Sequence, residues 1–368
     1  MFLRLKNVGS DRIVIEMQLT QQRSKGGKSM DSQEREKFWN TLCSLKGTDI
    51  QKDCEALKAS IQYPKYLYRY RPVTTNSLNA LRTNKLYFSK ANYYDDPFDT
   101  FLHINIAAIM EEYRQNFKTP ERTQEVIDGT KALLSGIIPE EKLEQLTVKS
   151  VQDRLAQGVL PDFQSYLLDI RNEVRKNIWS VCFSESGLNE TLWLKYADQY
   201  RGFVQYYDME DESTFLCGKH EKCKECGIRY GTPIYPICYS DTPYDATNFA
   251  EYIMMQKLTE SVGKTIPPEW LEKMRPIAWE AERVTLVKKK CHEYDQEWRM
   301  IANAQMNAPV MVEMIPYGVV LGLRMNRAEE DLVIAMAKEA GVKKIYKSFI
   351  DEKNELNAYT VEKNGLVE

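Results

Sequence analysis

Residues 67–99 read LYRYRPVTTNSLNALRTNKLYFSKANYYDDPFD, and this stretch decides the fold. Two short apolar-aromatic runs, Tyr66 to Tyr70 and Leu86 to Phe88, flank a helical signal in which Thr74 or Thr75 caps the amides ahead of Leu78 and Leu81. The order is strand, helix, strand. The first strand ends on Arg69 and Arg71, the second on Ser89, and the chain then enters an aromatic, acidic turn, Asn92-Tyr93-Tyr94-Asp95-Asp96-Pro97. A surface hairpin needs none of these groups, so the stretch reads as the floor of an active site.

Composition bounds the rest. A chain of 368 residues can bury a real core as two units or as one domain with a large insertion. The 50 basic and 53 acidic residues nearly cancel, so no global field draws nucleic acid or a membrane surface, and any basic site must be local. No run approaches the roughly 18 to 20 apolar residues of a spanning helix, and the start lacks an apolar signal core. Eight scattered cysteines in so long a chain point to reduced thiols and a cytoplasmic home.

Outward from the central stretch, residues 1–60 form an N-terminal extension and helix. Phe2, Leu3 and Ile13 to Ile15 suggest a small hairpin, and Phe38, Trp39, Leu42, Leu45 and Leu57 keep a helical period. Residues 61–105 make the first part of an α/β core. Residues 106–177 read as a helical insertion, with Ile109, Tyr113, Leu133, Leu134, Ile137, Phe163, Leu167, Ile170 and Val174 at helical spacings. Packing accounts for such helices, and a lid or partner surface is the functional alternative.

Residues 178–368 return to the core. Ile178-Trp-Ser-Val-Cys-Phe-Ser184 is an apolar strand ending in hydroxyl residues, Glu190 to Asp198 a short helix, and Gly202 breaks it before a strand through Tyr207. Phe183, Ser184, Trp193 and Tyr196 could wall an aromatic pocket suited to a flat ring. Strand-like alternation from Glu293 puts Glu293, Asp295 and Glu297 on one face, where repulsion raises at least one pKa. The structural alternative is an edge strand with Arg299 and Lys288 to Lys290 as counter-charges. Near the end, Val319 to Leu323 forms a strand, Asn326 caps a helix that Gly341 ends, and strands at Tyr346 to Phe349 and Asn357 to Val361 close a sheet edge.

Cys217, His220, Cys223 and Cys226 carry the soft donors a structural zinc prefers. Steps of three crowd one turn of chain, whereas zinc sites commonly pair a close Cys-x-x-Cys with a distant second pair, so free loop thiols are the alternative.

The fragments Leu67-Tyr-Arg-Tyr-Arg71, Leu86-Tyr-Phe-Ser89, Asp95-Asp-Pro-Phe98, Cys182-Phe-Ser184, Leu192-Trp193, Tyr196-Ala-Asp198, Gly202-Phe203, and Tyr294 with Glu297-Trp-Arg299 resemble, in order, the signatures of the bacterial domain-of-unknown-function family 2971. Asp95 stands where that family usually has asparagine and His292 where it often has an aromatic. The order of elements also resembles that of ADP-ribosyltransferases. The resemblance implies an α+β fold with a split of two small β-sheets around a cleft, plus the helical insertion. It further implies NAD as substrate, held by Arg71 and Arg69 at the pyrophosphate or ribose, and by Ser89 or Ser184 at the nicotinamide ribose. Phe183, Tyr196 or Tyr93 would stack the nicotinamide, with Tyr70, Asp96 and Trp193 completing the site. Glu297 would stabilise the positive charge that builds on the anomeric carbon.

The implied activity is mono-ADP-ribosyl transfer to nucleic acid or protein, or NAD hydrolysis, in a bacterial toxin or anti-phage setting, with an antitoxin or chaperone as a further partner and no membrane partner. Two other classes stay open. Arg69, Tyr70, Arg71, Lys85, Tyr87 and Lys90 interleave charge with aromatics as a single-strand groove does, so a ribonuclease holding magnesium through Asp95, Asp96 and Glu297 is one. A non-catalytic sensor or interaction module is the other.

Overall fold

A reciprocal cap starts the helix of the central stretch. The Ser77 amide donates to Thr74 Oγ1 at 3.2 Å and the Thr74 amide donates to Ser77 Oγ at 2.9 Å, which satisfies two amides that the first turn would otherwise leave open. The helix so begun, α3 (Thr75–Arg82), buries Ala80 and Leu81 and lies between β3 (Tyr66–Arg71) and β4 (Lys85–Tyr87).

In the computed structural model of the protein, residues 4–7, 13–16, 29–157, 160–211, 234–261, 265, 278–303 and 311–361 are described. The class is α+β. The N-terminal hairpin pairs β1 (Arg4–Asn7) with β2 (Ile13–Glu16). Then come α1 (Ser32–Ser44) and α2 (Ile50–Ala59), whose Phe38, Leu42 and Leu57 enter the largest core cluster. Each such side chain contributes about 1.5–3 kcal/mol by leaving water. The zinc candidates Cys217, His220, Cys223 and Cys226 lie outside the described residues.

After β5 (Ser89–Lys90) the described residues form α4 (Ile106–Asn116), α5 (Pro120–Leu134), α6 (Glu140–Glu144), α7 (Val148–Gln157) and α8 (Leu160–Asn177). The core resumes with β6 (Ile178–Ser184), α9 (Glu190–Tyr196), β7 (Phe203–Asp208), β8 (Ile234–Pro236) and β9 (Cys238–Tyr239). Helices Thr247–Ser261 and Glu280–Thr285 precede β10 (Val287–Lys288), β11 (Glu297–Asn303), β12 (Met311–Glu313) and β13 (Gly318–Leu321). The Arg327–Glu339 helix, capped by Asn326 as expected, leads to the closing strands β14 (Lys344–Ile350) and β15 (Leu356–Thr360).

One nine-stranded sheet dominates, in the order β15-β14-β13-β7-β3-β6-β11-β8, with β5 joined to β6. The two small sheets expected are therefore replaced by one large sheet and three two-stranded ones, β1-β2, β9-β10 and β4-β12. The large sheet nevertheless has a seam. Strands β3 and β7 pair along six residues and β6 and β11 along seven, whereas β3 and β6 share the single pair Tyr68 with Ser184. Beyond that pair the edge of β6 turns to β5, with Ser89 opposite Ser180. The stretch Arg69 to Arg71 therefore parts from Phe183 to Val181, and a gap opens in the middle of the sheet.

Two details of the central stretch differ from the sequence reading. Leu86 to Ser89 is not one strand, because buried Phe88 separates β4, which pairs with β12, from β5, which pairs with β6. Glu293 and Asp295 are not on a strand face with Glu297. They belong to a 3-10 turn, Lys290–Asp295, which ends at Gln296 in a left-handed conformation (φ 45°) before β11 begins at Glu297.

Candidate active site

A pocket of about 620 Å³ occupies the gap between β3 and β6. Because the strands part there, residues of both alternations line it: Tyr68 and Tyr70, and also Arg69 and Arg71. Ser89, Tyr93, Asp96, Phe183, Ser184, Tyr196 and Glu297 line it as well. Of the residues that the resemblance places around NAD, Trp193 does not line it. It is fully buried on α9, its indole Nε1 donates to the Gly187 carbonyl at 3.0 Å, and Tyr70 meets it edge-on at 5.5 Å. Trp193 thus supports the Tyr70 wall from behind.

Glu297 sits in the same cross-strand row as Tyr206, Tyr68 and Ser184. Its Oε1 accepts from Arg299 Nε at 2.6 Å and its Oε2 from Lys288 Nζ at 3.0 Å. Arg299, fully buried, also grips Asp99 with both terminal nitrogens, at 2.7 and 2.6 Å, and donates to the Thr285 carbonyl at 2.9 Å. Lys288 reaches Asp295 Oδ2 at 2.9 Å and Asp99 Oδ2 at 3.7 Å. Three carboxyls thus face two cations beneath the pocket. Burial on its own would raise the Glu297 carboxyl, but Arg299 and Lys288 outweigh it and hold the group at about 2. The excess acid falls on Asp295, pushed up by burial, whose Oδ1 is buried without a hydrogen-bond partner.

Behind this group Arg35, on α1, donates to the Glu297 carbonyl at 3.0 Å and the Ile237 carbonyl at 2.8 Å, and pairs with Glu185. Glu185 also accepts from Trp298 Nε1 at 2.6 Å. Backbone and carboxylate of Glu297 are therefore both fixed.

The opposite wall has the reverse character. Arg69 is buried, its Nη2 is 3.4 Å from the Tyr87 carbonyl, and its Nη1 has no hydrogen-bond partner. Among the described residues neither Arg69 nor Arg71 forms an ion pair with a carboxylate. Burial, reinforced by the neighbouring Arg69 charge, pushes the Arg71 guanidinium down to about 10. Two adjacent desolvated cations with no carboxylate beside them among the described residues are costly, and an anionic group between them would offset that cost.

The hydroxyls and aromatics divide by exposure. Ser184 Oγ donates to the Asp295 carbonyl at 2.8 Å and accepts the Ser186 amide at 3.2 Å, so it joins the strand end to the 3-10 turn. Ser89 is exposed on β5 and lines the pocket. Phe183 is buried, whereas Tyr93 and Tyr196 stand exposed at the mouth. Tyr70 Oη is fully engaged, donating to the Ser186 carbonyl at 2.8 Å and accepting the Asn189 amide at 3.0 Å. Asp96 meets His292 Nε2 at 3.3 Å.

Sequence reading missed Asp99 and gave Lys288 and Arg299 only the part of counter-charges to an edge strand. It also missed Cys182, half-buried on β6, and Tyr94, which is hydrogen-bonded to Ser180. Among the described residues no group of His, Cys, Asp and Glu is arranged to hold a metal ion, and no helix is long and apolar enough to cross a membrane. Comparison of the chain with protein-family models, with curated proteins and with solved structures finds no match.

Proposed function

We propose that the pocket binds NAD and transfers its ADP-ribosyl group, or hydrolyses the same bond, in an ADP-ribosyltransferase-like arrangement. One observation carries the reading: two guanidinium groups without a carboxylate partner among the described residues and one rigidly held carboxylate line the same gap between β3 and β6. A dinucleotide has charges and hydroxyls to match. Its pyrophosphate suits Arg69 and Arg71, since guanidinium forks pair with phosphate oxygens. Ser89 supports the nicotinamide ribose, and Phe183, Tyr196 or Tyr93 covers the nicotinamide ring.

The chemistry asked of Glu297 is electrostatic. The bond from C1′ of the ribose to the nicotinamide nitrogen breaks, its electron pair leaves with nicotinamide, and positive charge develops at C1′. A carboxylate held at about 2 is ionised throughout the neutral range and needs no reorganisation as that charge appears. Water or an acceptor nucleophile then bonds to C1′ and releases a proton. The order of elements, which resembles that of ADP-ribosyltransferases, supports the same layout. Metal-dependent cleavage of RNA gains less support, since Asp96, one of the acids it needs, meets His292.

The test is release of nicotinamide from NAD by the purified chain, together with thermal stabilisation by NAD. Glu297→Gln is expected to lower release on the order of 100-fold. Equal release by wild type and variant, or no stabilisation by NAD at any concentration, would remove the proposal.

A further inference from the structure

One lip of the pocket is built unlike the rest of the surface. Tyr93 is 75% exposed and Phe98 58%, and Phe101, Tyr196 and Tyr294 are exposed as well. Three of these rings, Tyr294, Phe98 and Phe101, each lie beside a cation. Lys195 Nζ donates to Tyr294 Oη at 2.6 Å and lies over the Tyr294 ring, and that ring is 6.2 Å from His292. His292 meets Asp96, and the Phe98 amide donates to Asp96 Oδ1 at 2.8 Å. Lys289 Nζ sits 3.8 Å above the Phe98 ring, Phe98 is 6.4 Å from Phe101, and Arg171 lies 4.7 Å above Phe101.

Exposed rings hold no core together, and among the described residues Lys195 and Lys289, both exposed, form no ion pair. The nearby acids are mostly engaged: Asp96 as above, and Glu293 by the Ser32 hydroxyl at 2.7 Å. Asp95 is the exception. A strip of flat faces alternating with cations matches a polymer of flat rings alternating with anions, that is, single-stranded nucleic acid. The chain's near-neutral balance makes this local concentration the more specific.

Resting on the proposed transfer from NAD, we infer that this lip binds single-stranded nucleic acid and presents it to the pocket as acceptor. A nucleophilic base nitrogen or hydroxyl of the strand forms the new bond to C1′, nicotinamide leaves with the bonding pair, and the acceptor's proton passes to solvent. The strand enters past Tyr294 and Phe98, so these two rings and Lys289 touch the acceptor and take no part in holding NAD.

The experiment is fluorescence anisotropy of dye-labelled single-stranded DNA and RNA of about ten nucleotides, a length within the usual footprint of such sites. Run beside it are duplex DNA and nicotinamide release from NAD without oligonucleotide. Expected are binding of at least one single strand, weakening as salt rises, and a loss of about tenfold in affinity in Phe98→Ala, in Tyr294→Ala and in Lys289→Glu. Release from NAD alone should stay at the wild-type level in all three, and their melting temperatures should match wild type because the side chains are exposed. Binding of neither strand, or binding that the three variants leave intact, overturns the inference, as does label from NAD passing to protein alone when an oligonucleotide is present. If nicotinamide release persists in that case, the NAD reading survives. If oligonucleotides bind and NAD is never cleaved, the lip stands as a binding surface and its role as presenter of an acceptor is overturned.

Discussion

Asp99 and Arg299, 200 residues apart in the chain, meet in a two-pronged pair with oxygen–nitrogen distances of 2.7 and 2.6 Å. Arg299 in turn holds Glu297 through Nε at 2.6 Å. The acidic turn that ends the central stretch is thereby wired to the carboxylate at the start of β11. Breaking one partner of a buried pair leaves the other charge uncompensated, at about 3–5 kcal/mol. Asp99→Ala is expected to lower stability by that order in denaturant titration. Asp99→Asn, which keeps the shape and one acceptor, should lose less stability yet still slow nicotinamide release.

Arg69 offers the opposite experiment. Its guanidinium is buried, has no carboxylate partner among the described residues, and has Nη1 unsatisfied, so the long Tyr87 carbonyl contact offsets only part of its desolvation. Arg69→Met fills similar volume with no charge. The variant should melt at or above the wild-type temperature when empty, and should lose most of the upward shift that NAD or inorganic pyrophosphate confers on wild type. A marked fall in the melting temperature of the empty variant would mean that the guanidinium is a structural strut.

Acid unfolding should report Glu297. Its ordinary value of 4.5 falls to about 2 in the folded chain, so its contribution is complete above pH 4.5 and is lost as pH falls from there through 2. The size is on the order of 3 kcal/mol. Asp295, raised by burial, works in the other sense, costing stability as pH climbs past 3.8. Subtracting the curve of Glu297→Gln from that of wild type isolates the first effect. A flat difference between pH 4.5 and 2 would show that the cations do not grip Glu297 in solution.

Gly202 controls the far end of β3. A Cβ at this position would come within 2.2 Å of the Arg71 carbonyl and 2.9 Å of the Ala197 carbonyl, both backbone atoms that cannot swing away. Gly202→Ala is therefore expected to cost about 1–3 kcal/mol, as overpacking does, and to weaken NAD binding by shifting Arg71. Thermal melts with and without NAD measure both effects.

Much of this was legible in local pattern. The Thr74 cap, the aromatic alternation of β3, the Asn326 cap and the closing strands follow from side chains acting on their own neighbourhood, which a sequence displays directly. Arg69, Arg71 and Ser89 stood out as charged and hydroxyl residues at the ends of apolar strands, and Glu297 through the resemblance to ADP-ribosyltransferases; all four line the pocket. What stayed hidden depends on distance or on backbone conformation. Asp99 looked like one more acid of a turn, because its partner lies on a strand far along the chain. Glu293 was misplaced because Gln296 adopts a left-handed conformation and starts β11 later than the alternation suggested. Trp193 read as a pocket wall, yet so short a helix as α9 turns Leu192 and Trp193 inward together.

The lone pairing of Tyr68 with Ser184 has a mechanical meaning. Both arginines ride on the half-sheet that includes β7 and β13, while Glu297 rides on the half that includes β11 and β8. A molecule touching both sides is a rivet across that line, so occupancy tightens the middle of the protein, and its rigidity becomes a gauge of whether the gap is filled.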